Sequence, residues 1–184
     1  MSMAALLVLS SCSGKEKESV PSLPGSLCWG EFTGSTVAPL LPTGKQAQVL
    51  MPDGPTFDVF RSRYRPSVAC KVLVDGKEGF RAFAQRRSRG KGDDWASRGN
   101  SATRIAIGDE GFIWKTGVTS VILCERPDLP RGQDSALDKS ERYVVLEINA
   151  NKAPDNRKTR DVLASLMKQY VQFADRGLKC AKGA

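Results

Sequence analysis

Two short stretches of the chain contain the residue types of a serine acyl-transfer site. Ser165-Leu166-Met167-Lys168 places a hydroxyl and an amine three residues apart. In such a pair the serine oxygen is the nucleophile, and the lysine amine accepts its proton. Lys115-Thr116-Gly117 is the second stretch, of the kind that lies on a strand beside such a serine. The chain has no histidine, so a hydrolase would need a lysine or a carboxylate as its base.

The order of the two motifs argues against this chemistry. In penicillin-binding proteins and β-lactamases the serine motif precedes the K-T-G element, whereas here it follows it, and no S-D-N type element lies between them. Ser165 falls inside a periodic helical segment, and Lys115-Thr116-Gly117 is explained by a hairpin turn. We therefore predict no catalytic residue from these motifs.

A second candidate is the carboxylate pair of Gly108-Asp109-Glu110-Gly111, which could lie beside Trp114 as in a glycosidase. Neighbouring residues of a strand point to opposite faces, so we interpret this stretch as a Gly/Asp turn. The sequence contains no phosphate loop, metal-ligand cluster or dinucleotide fingerprint, and we predict neither a metal site nor a cofactor.

Basic residues are concentrated in one segment of a chain whose formal net charge is +8. Arg86, Arg87, Arg89 and Lys91 lie in a Gly-rich stretch, residues 85 to 100, that has no apolar period. They are candidate anion-binding residues of a loop that could contact phosphates or an anionic leaflet. The alternative is a solvated loop that Asp93 and Asp94 partly neutralise. We do not expect nucleic acid as a partner.

The cysteine nearest the N-terminus has a distinctive context. An apolar run, Met3 to Leu9, is followed by Ser10, Ser11 and Cys12, a pattern that resembles the lipobox of bacterial lipoproteins. That resemblance implies a signal peptide over residues 1–11, acylation of Cys12 by membrane lipid, and a flexible tether over residues 12–25. No basic residue precedes the apolar run, so we expect the true start to lie upstream. The alternative is a frayed apolar N-terminus with an incidental cysteine.

The remaining chain, residues 26–184, predicts a single α+β domain. A short helix is expected between Phe32 and Pro42, and a long one from Asp155 to a glycine cap at Gly177. The expected strands are Val68 to Val74, Phe80 to Gln85, Ile105 to Trp114, Val118 to Glu125 and Tyr143 to Ile148. The prediction is an antiparallel sheet of about five strands with both helices packed on it.

Four cysteines are left once Cys12 is set aside, an even number that predicts two disulfides in an oxidising compartment. Four cysteines allow three connectivities. We favour Cys124 with Cys180, which would join the last helix to a strand, and Cys28 with Cys70, which would join the N-terminal segment to the first hairpin. Each closed loop would stabilise the fold by about 4 kcal/mol in the chain-entropy model.

Several short features resemble a known group. Cys28-Trp29 before a short helix, Cys70 in a strand and the run Ile107 to Trp114 resemble small secreted lipoproteins of actinobacteria, especially Streptomyces-like ones, whose function is uncharacterised. The order of elements is also similar to the α/β/α sandwich of extrinsic photosystem II subunits. This resemblance covers residues 26 to 180 and implies no catalytic residues.

These observations predict a lipid-anchored protein on the outer face of the cytoplasmic membrane. We expect it to act as a binding or accessory protein of the cell envelope, and not as an enzyme, because no acid, base and nucleophile set converges. Its partner would be an anionic envelope polymer or an envelope protein. One alternative is an envelope hydrolase or transferase that uses Ser/Lys or carboxylate chemistry. Another is a polyanion or membrane-surface binder that acts through the basic loop.

Overall fold

A seven-stranded antiparallel sheet organises the fold of the computed structural model, which describes residues 19–61, 66–88, 102–126, 128 and 142–181. The strands follow a small hairpin made of β1 (Ser26–Leu27) and β2 (Phe32–Thr33). They are β3 (Ala47–Leu50), β4 (Ser67–Val74), β5 (Lys77–Arg87), β6 (Thr103–Ile105), β7 (Glu110–Trp114), β8 (Gly117–Leu123) and β9 (Tyr143–Asn149). Their order across the sheet is β3-β4-β5-β9-β8-β7-β6.

Alternating side chains explain which face of the sheet is buried. On β5 the residues Phe80, Ala82 and Ala84 are fully buried, whereas the intervening Arg81 and Phe83 are only partly covered. This period of two is the pattern of a strand with one face on the core. The β4–β5 turn consists of Asp75 and Gly76, both with positive φ, which matches the tight hairpin turn expected there.

The sheet has two more strands than the sequence predicted. β3 was missed because it is a four-residue edge strand with little buried surface, so its apolar pattern is weak. The strand expected from Ile105 to Trp114 is divided into β6 and β7 by Gly108, whose φ of +67° interrupts the extended backbone. The prediction of about five strands is therefore wrong in number, although the mainly antiparallel α+β class is confirmed.

Both predicted helices are present, but the glycine cap expected at Gly177 is wrong: Gly177 is the last helical residue, the C-cap is Leu178, and the positive φ falls on Lys179. The short one is α1 (Gly34–Val37), capped by the hydroxyl of Thr33 and continued by a 3-10 turn, Ala38–Leu40. The long one is α2 (Arg157–Gly177), which begins where the side chain of Asn156 accepts a hydrogen bond from the Thr159 amide. Its apolar face packs over β7, β8 and β9. The buried residues of that face are Leu163, Leu166, Met167, Tyr170 and Ala174.

Two disulfides join the outer elements to the sheet, with the pairing that the sequence favoured. Cys28 binds Cys70, at a Cα–Cα distance of 5.4 Å, and thereby holds the β1–β2 hairpin against β4. Cys124 binds Cys180, at 4.6 Å, and holds the chain that leaves α2 against the end of β8. Disulfides of this kind are typical of proteins outside the cytosol.

The sheet has two ends that carry different features. The proximal end contains the β4–β5 turn, the β7–β8 turn and the start of α2, since β9 runs antiparallel to both β5 and β8 and finishes there at Asn149. The distal end contains the last residues of β8, the first residues of β9 and the Cys124–Cys180 disulfide. Within the part of the chain that is described, no helix is long and apolar enough to cross a membrane.

Candidate functional site

A groove of about 470 Å³ lies at the distal end, between the end of β8 and the last turns of α2. Its volume falls in the range of sites that take a small molecule or a few side chains of a partner. The residues that line it are Gly108, Asp109, Ile122, Leu123, Val171, Asp175, Arg176, Cys180 and Ala181.

The groove combines apolar and charged surfaces. Ile122, Leu123 and Val171 supply the apolar part, and Leu123 is 41% exposed, which is unusual among the large apolar side chains of the described residues. Arg176 and Asp175, in the last turn of α2, supply charge from the helix side. An apolar surface flanked by charge favours a ligand with an apolar group and a polar neighbour.

Gly108 and Asp109 form one wall of the groove, and the contacts at each position explain why a glycine and an aspartate occur there. A Cβ atom on Gly108 would collide with the Ser120 hydroxyl and lie 2.7 Å from the Val121 carbonyl oxygen. The Asp109 amide donates to that same carbonyl at 2.9 Å, and the Asp109 carboxylate accepts from the Leu123 amide. This carboxylate therefore fixes the end of β8.

The two carboxylates of the Gly108–Gly111 stretch do not converge on one point. Asp109 binds the β8 backbone, whereas Glu110 opens β7 and forms an ion pair with Arg104 at 3.6 Å. The chain bends through residues 107 to 109 before β7 begins, as the turn interpretation expected. The arrangement suits a structural turn better than a pair of glycosidase carboxylates.

The serine and lysine motifs are also kept apart. Lys115 and Thr116 form the two-residue turn between β7 and β8, and the Lys115 ammonium lies 3.2 Å from the Asp155 carboxylate. Ser165 and Lys168 are exposed on α2, with Ser165 eight residues beyond the start of the helix, about 12 Å along its axis. The hairpin explanation of Lys115-Thr116-Gly117 is confirmed.

The predicted basic loop needs a correction at its first members. Arg86 belongs to β5 and is 3% exposed, and its guanidinium carbon lies 5.7 Å from the centre of the Phe60 ring. Arg87 ends the same strand and donates to the Gln85 side chain. The sequence pattern failed because an arginine occupies a core-facing position, where it packs on an aromatic ring. Arg89 and Lys91 lie outside the described residues.

A second guanidinium covers the same ring. Arg126 lies 5.4 Å from the centre of Phe60 and forms a two-point hydrogen bond with Asp128, both contacts at 2.8 Å. The hydrogen bond to Arg126 lowers the pKa of Asp128 to about 2, and it raises the pKa of Arg126. No signal in the sequence would have paired Phe60 with two arginines so distant along the chain.

An aromatic cluster packs against α2 at Tyr170. The Trp29 ring packs against Phe57, 5.0 Å away, and against Tyr170, 6.1 Å away. Among the described residues, neither the Trp29 Nε1 nor the Tyr170 hydroxyl has a hydrogen-bond partner, and burial raises the pKa of Tyr170 well above its usual value. Cys28 and Trp29 both have positive φ, in a turn that the Glu31 amide closes by donating to the Cys28 carbonyl and that the Cys28–Cys70 disulfide joins to β4.

Glu31 links this cluster to the rim of the groove. Its carboxylate lies 4.0 Å from the guanidinium of Arg176, and its backbone carbonyl accepts from the Gln169 side chain at 2.5 Å. Burial raises the pKa of Glu31, and the charge of Arg176 only partly opposes that effect. Arg176 therefore has a structural partner as well as a place on the groove.

Cys12, the predicted signal peptide and the predicted tether up to residue 18 lie outside the described residues, so all three stay predictions. No cluster of three histidine, cysteine or acidic side chains within the described ranges is placed to hold a metal ion. No protein family model, curated protein or solved structure matches this chain.

Proposed function

We propose that this protein is an extracytoplasmic lipoprotein that works by binding, with the distal groove as its binding site. The proposal rests on the positions of Ser19 and the groove at opposite ends of the sheet. Ser19, where the described part of the chain begins, is bound at the proximal end, whereas the groove lies at the distal end. A domain tethered at Cys12 would therefore present the groove away from the membrane.

Two disulfides support the extracytoplasmic address. The half-cystines Cys28, Cys70 and Cys124 are each at most 2% exposed, so both bridges are part of the core. Bridges of this kind form and persist in oxidising compartments. We place the attachment at the outer face of the cytoplasmic membrane, as in the actinobacterial secreted lipoproteins that the sequence resembles. This location agrees with the disulfides and with the lipobox pattern of Leu9 to Cys12.

The occupant that fits the groove best is a short apolar segment of another envelope protein, which would make this chain an accessory subunit. An exposed leucine beside Ile122 and Val171 provides apolar contact, and the charged side chains at the rim can orient a polar neighbour. Binding suits this site better than catalysis, because its Asp109 is already engaged by the β8 backbone and its Arg176 pairs with Glu31.

A photo-crosslinking residue at position 123 tests this assignment in the membrane-anchored protein of the native host. We expect one discrete protein adduct from position 123, its loss in Val171→Arg, and none from the same probe at position 168, which is exposed on α2 outside the groove. Equal adducts from both positions, or an adduct that survives Val171→Arg, would refute the groove as the binding site.

A further inference from the structure

The proximal end of the sheet collects basic side chains that are scattered along the sequence. Seven exposed residues define what we call the cationic end: Lys45, Lys77, Lys115, Lys152, Arg157, Lys158 and Arg160. None of them belongs to the basic run that the sequence singled out. They come from the segments before β3, after the β4–β5 turn, in the β7–β8 turn, and around the start of α2.

Strand order brings these segments to one surface. Arg81 of β5 and Gly117 of β8 both pair with Asn149, the last residue of β9, so three neighbouring strands have their turns or ends on this side. The Ala150 amide donates to the Thr116 carbonyl at 2.7 Å, which ties the chain after β9 to the β7–β8 turn. Adjacent strands are about 4.8 Å apart, so the two hairpin turns lie on one surface of modest width.

Carboxylates of the described residues on this surface are fewer, and three of them already have hydrogen-bond or ion-pair partners. Asp75 accepts hydrogen bonds from the Lys45 and Gln46 amides at 2.9 to 3.1 Å, and these bonds lower its pKa. Asp155 pairs with both Lys115, at 3.2 Å, and Arg160, at 3.5 Å. Among the described residues, Asp161 and Glu78 are the other carboxylates here, and Glu78 pairs with Lys71 at 3.0 Å and with Arg81 at 3.7 Å. The cationic end therefore carries a clear excess of positive charge.

Three of the cations have no structural role that would explain them. Lys152, Arg157 and Lys158 are exposed and form no ion pair with another described residue. Arg157 and Lys158 also occupy the first turn of α2, which contains no acidic residue. The helix macrodipole makes positive charge unfavourable at that position. An external anionic surface would offset this repulsion.

The position of Cys12 along the chain indicates which anionic surface this is. This assignment rests on the proposed function, in which Cys12 is acylated. Ser19 is bound to the cationic end, since its carbonyl accepts from the Gly44 amide at 3.0 Å, next to Lys45. Ser19 lies seven positions after Cys12, and a fully extended chain of that length spans at most about 25 Å. An acylated Cys12 would hold the cationic end close to the headgroups.

We propose that the cationic end docks on the anionic phospholipid headgroups of the membrane that carries the lipid anchor. Basic residues near an anionic leaflet are attracted by its negative surface potential, and the attraction falls off within about a Debye length. Docking restricts the orientation of the tethered domain, so the distal groove points outward. The partner is a lipid surface because the short tether keeps this end within reach of one.

The test uses the full chain with Cys12→Ser, which removes the anchor and leaves the surface intact. Sedimentation measures its binding to vesicles with one-third phosphatidylglycerol and to vesicles of phosphatidylcholine alone, at low and high salt. Arg157→Glu with Lys158→Glu is the test variant. Lys168→Glu with Lys179→Glu is the matched control, because it makes the same change in net charge further along α2 and just past its end.

We expect binding to anionic vesicles only, weakened by salt, and at least about thirtyfold weaker in the Arg157/Lys158 variant. The Lys168/Lys179 control should bind as tightly as its parent. Equal losses in both variants would mean that only net charge matters, and would overturn the proposal. Tighter binding to soluble polyphosphate than to vesicles would assign the surface to a polymer, which also overturns it.

This experiment tests membrane docking of the cationic end independently of the acylation of Cys12. Vesicle binding by the Cys12→Ser chain does not depend on acylation, so it can succeed even if Cys12 is never modified. Conversely, if Cys12 is acylated but the cationic end does not bind anionic vesicles, the proposed function stands and the docking proposal is refuted. Both pairs of substitutions are at exposed positions, and thermal unfolding of each variant checks that the fold is intact.

Discussion

The Gly44 amide donates a hydrogen bond to the Ser19 carbonyl at 3.0 Å, and this contact fixes where the N-terminal end of the described chain meets the rest of the fold. Gly44 is held closely there, because a Cβ atom on it would collide with a methyl group of Val74 and lie 2.7 Å from an oxygen of Asp75. The start of the domain is therefore attached beside the β4–β5 turn, at the cationic end.

Replacing this glycine should loosen the attachment. We expect Gly44→Ala to lower the free energy of unfolding by about 1–3 kcal/mol, because the added methyl group must displace neighbours in a packed region. Urea denaturation measures the change. Gly25→Ala is the control, since no atom lies within 4 Å of the position its Cβ would take. Similar stability losses in the two variants would contradict the packing described for Gly44.

Asp75 should make the stability of the β4–β5 turn depend on pH. Hydrogen bonds from the Gln46 and Lys45 amides lower its folded pKa, so its carboxylate stabilises the fold above the ordinary aspartate pKa of about 3.9. That contribution is lost as pH falls through the lowered value. We expect Asp75→Asn to reduce the urea midpoint at neutral pH, and the difference to shrink below about pH 4. A difference that does not change with pH would refute this role.

The distal disulfide should contribute substantially to stability. It closes a loop with a sequence separation of 56, so replacing both Cys124 and Cys180 by alanine should cost about 4 kcal/mol in the chain-entropy model. Urea unfolding of the double variant measures the cost. Peptide mapping without reductant checks the pairing itself. A Cys28 to Cys180 bridge, or a free thiol among these four cysteines, would contradict the fold at both ends of the chain.

Arg86 should behave as a core residue and not as part of a solvated loop. Its guanidinium packs on Phe60 and is almost fully covered, so Arg86→Glu would bury a carboxylate there and destabilise the fold by about 3 kcal/mol. Arg87→Glu, at the next position of the same strand but less buried, makes the same charge change and should cost much less. Equal unfolding midpoints for the two variants would contradict the burial of Arg86.

The elements that the sequence predicted well have strong periodic patterns. The residues Leu163, Leu166, Met167 and Tyr170 repeat at helical spacing, and Asp75-Gly76 is a common tight-turn pair, so α2 and the β4–β5 hairpin were recognised. The disulfide pairing followed from those placements. The weak edge strand β3 was missed, because four residues with little buried surface leave no clear alternation.

The candidate site was beyond the reach of sequence patterns for a physical reason. The groove joins Asp109, Leu123 and Arg176, which lie in separate elements and meet only because α2 runs back along the sheet. The cationic end likewise gathers Lys45, Lys115 and Arg157 through strand order. A dense local run of arginines was the stronger signal in the sequence, yet the first of them is buried.

The proposed lipid anchor can be checked from the mass of the N-terminal peptide of the mature protein, purified from membranes of a Gram-positive host that expresses the full-length precursor. We expect a peptide that begins at Cys12 and carries a diacylglyceryl group on its sulfur. We also expect globomycin to block the release of residues 1–11, and Cys12→Ser to abolish partition of the protein into detergent. A mature chain with an unmodified Cys12, or with residues 1–11 still attached in the absence of inhibitor, would contradict the lipid anchor.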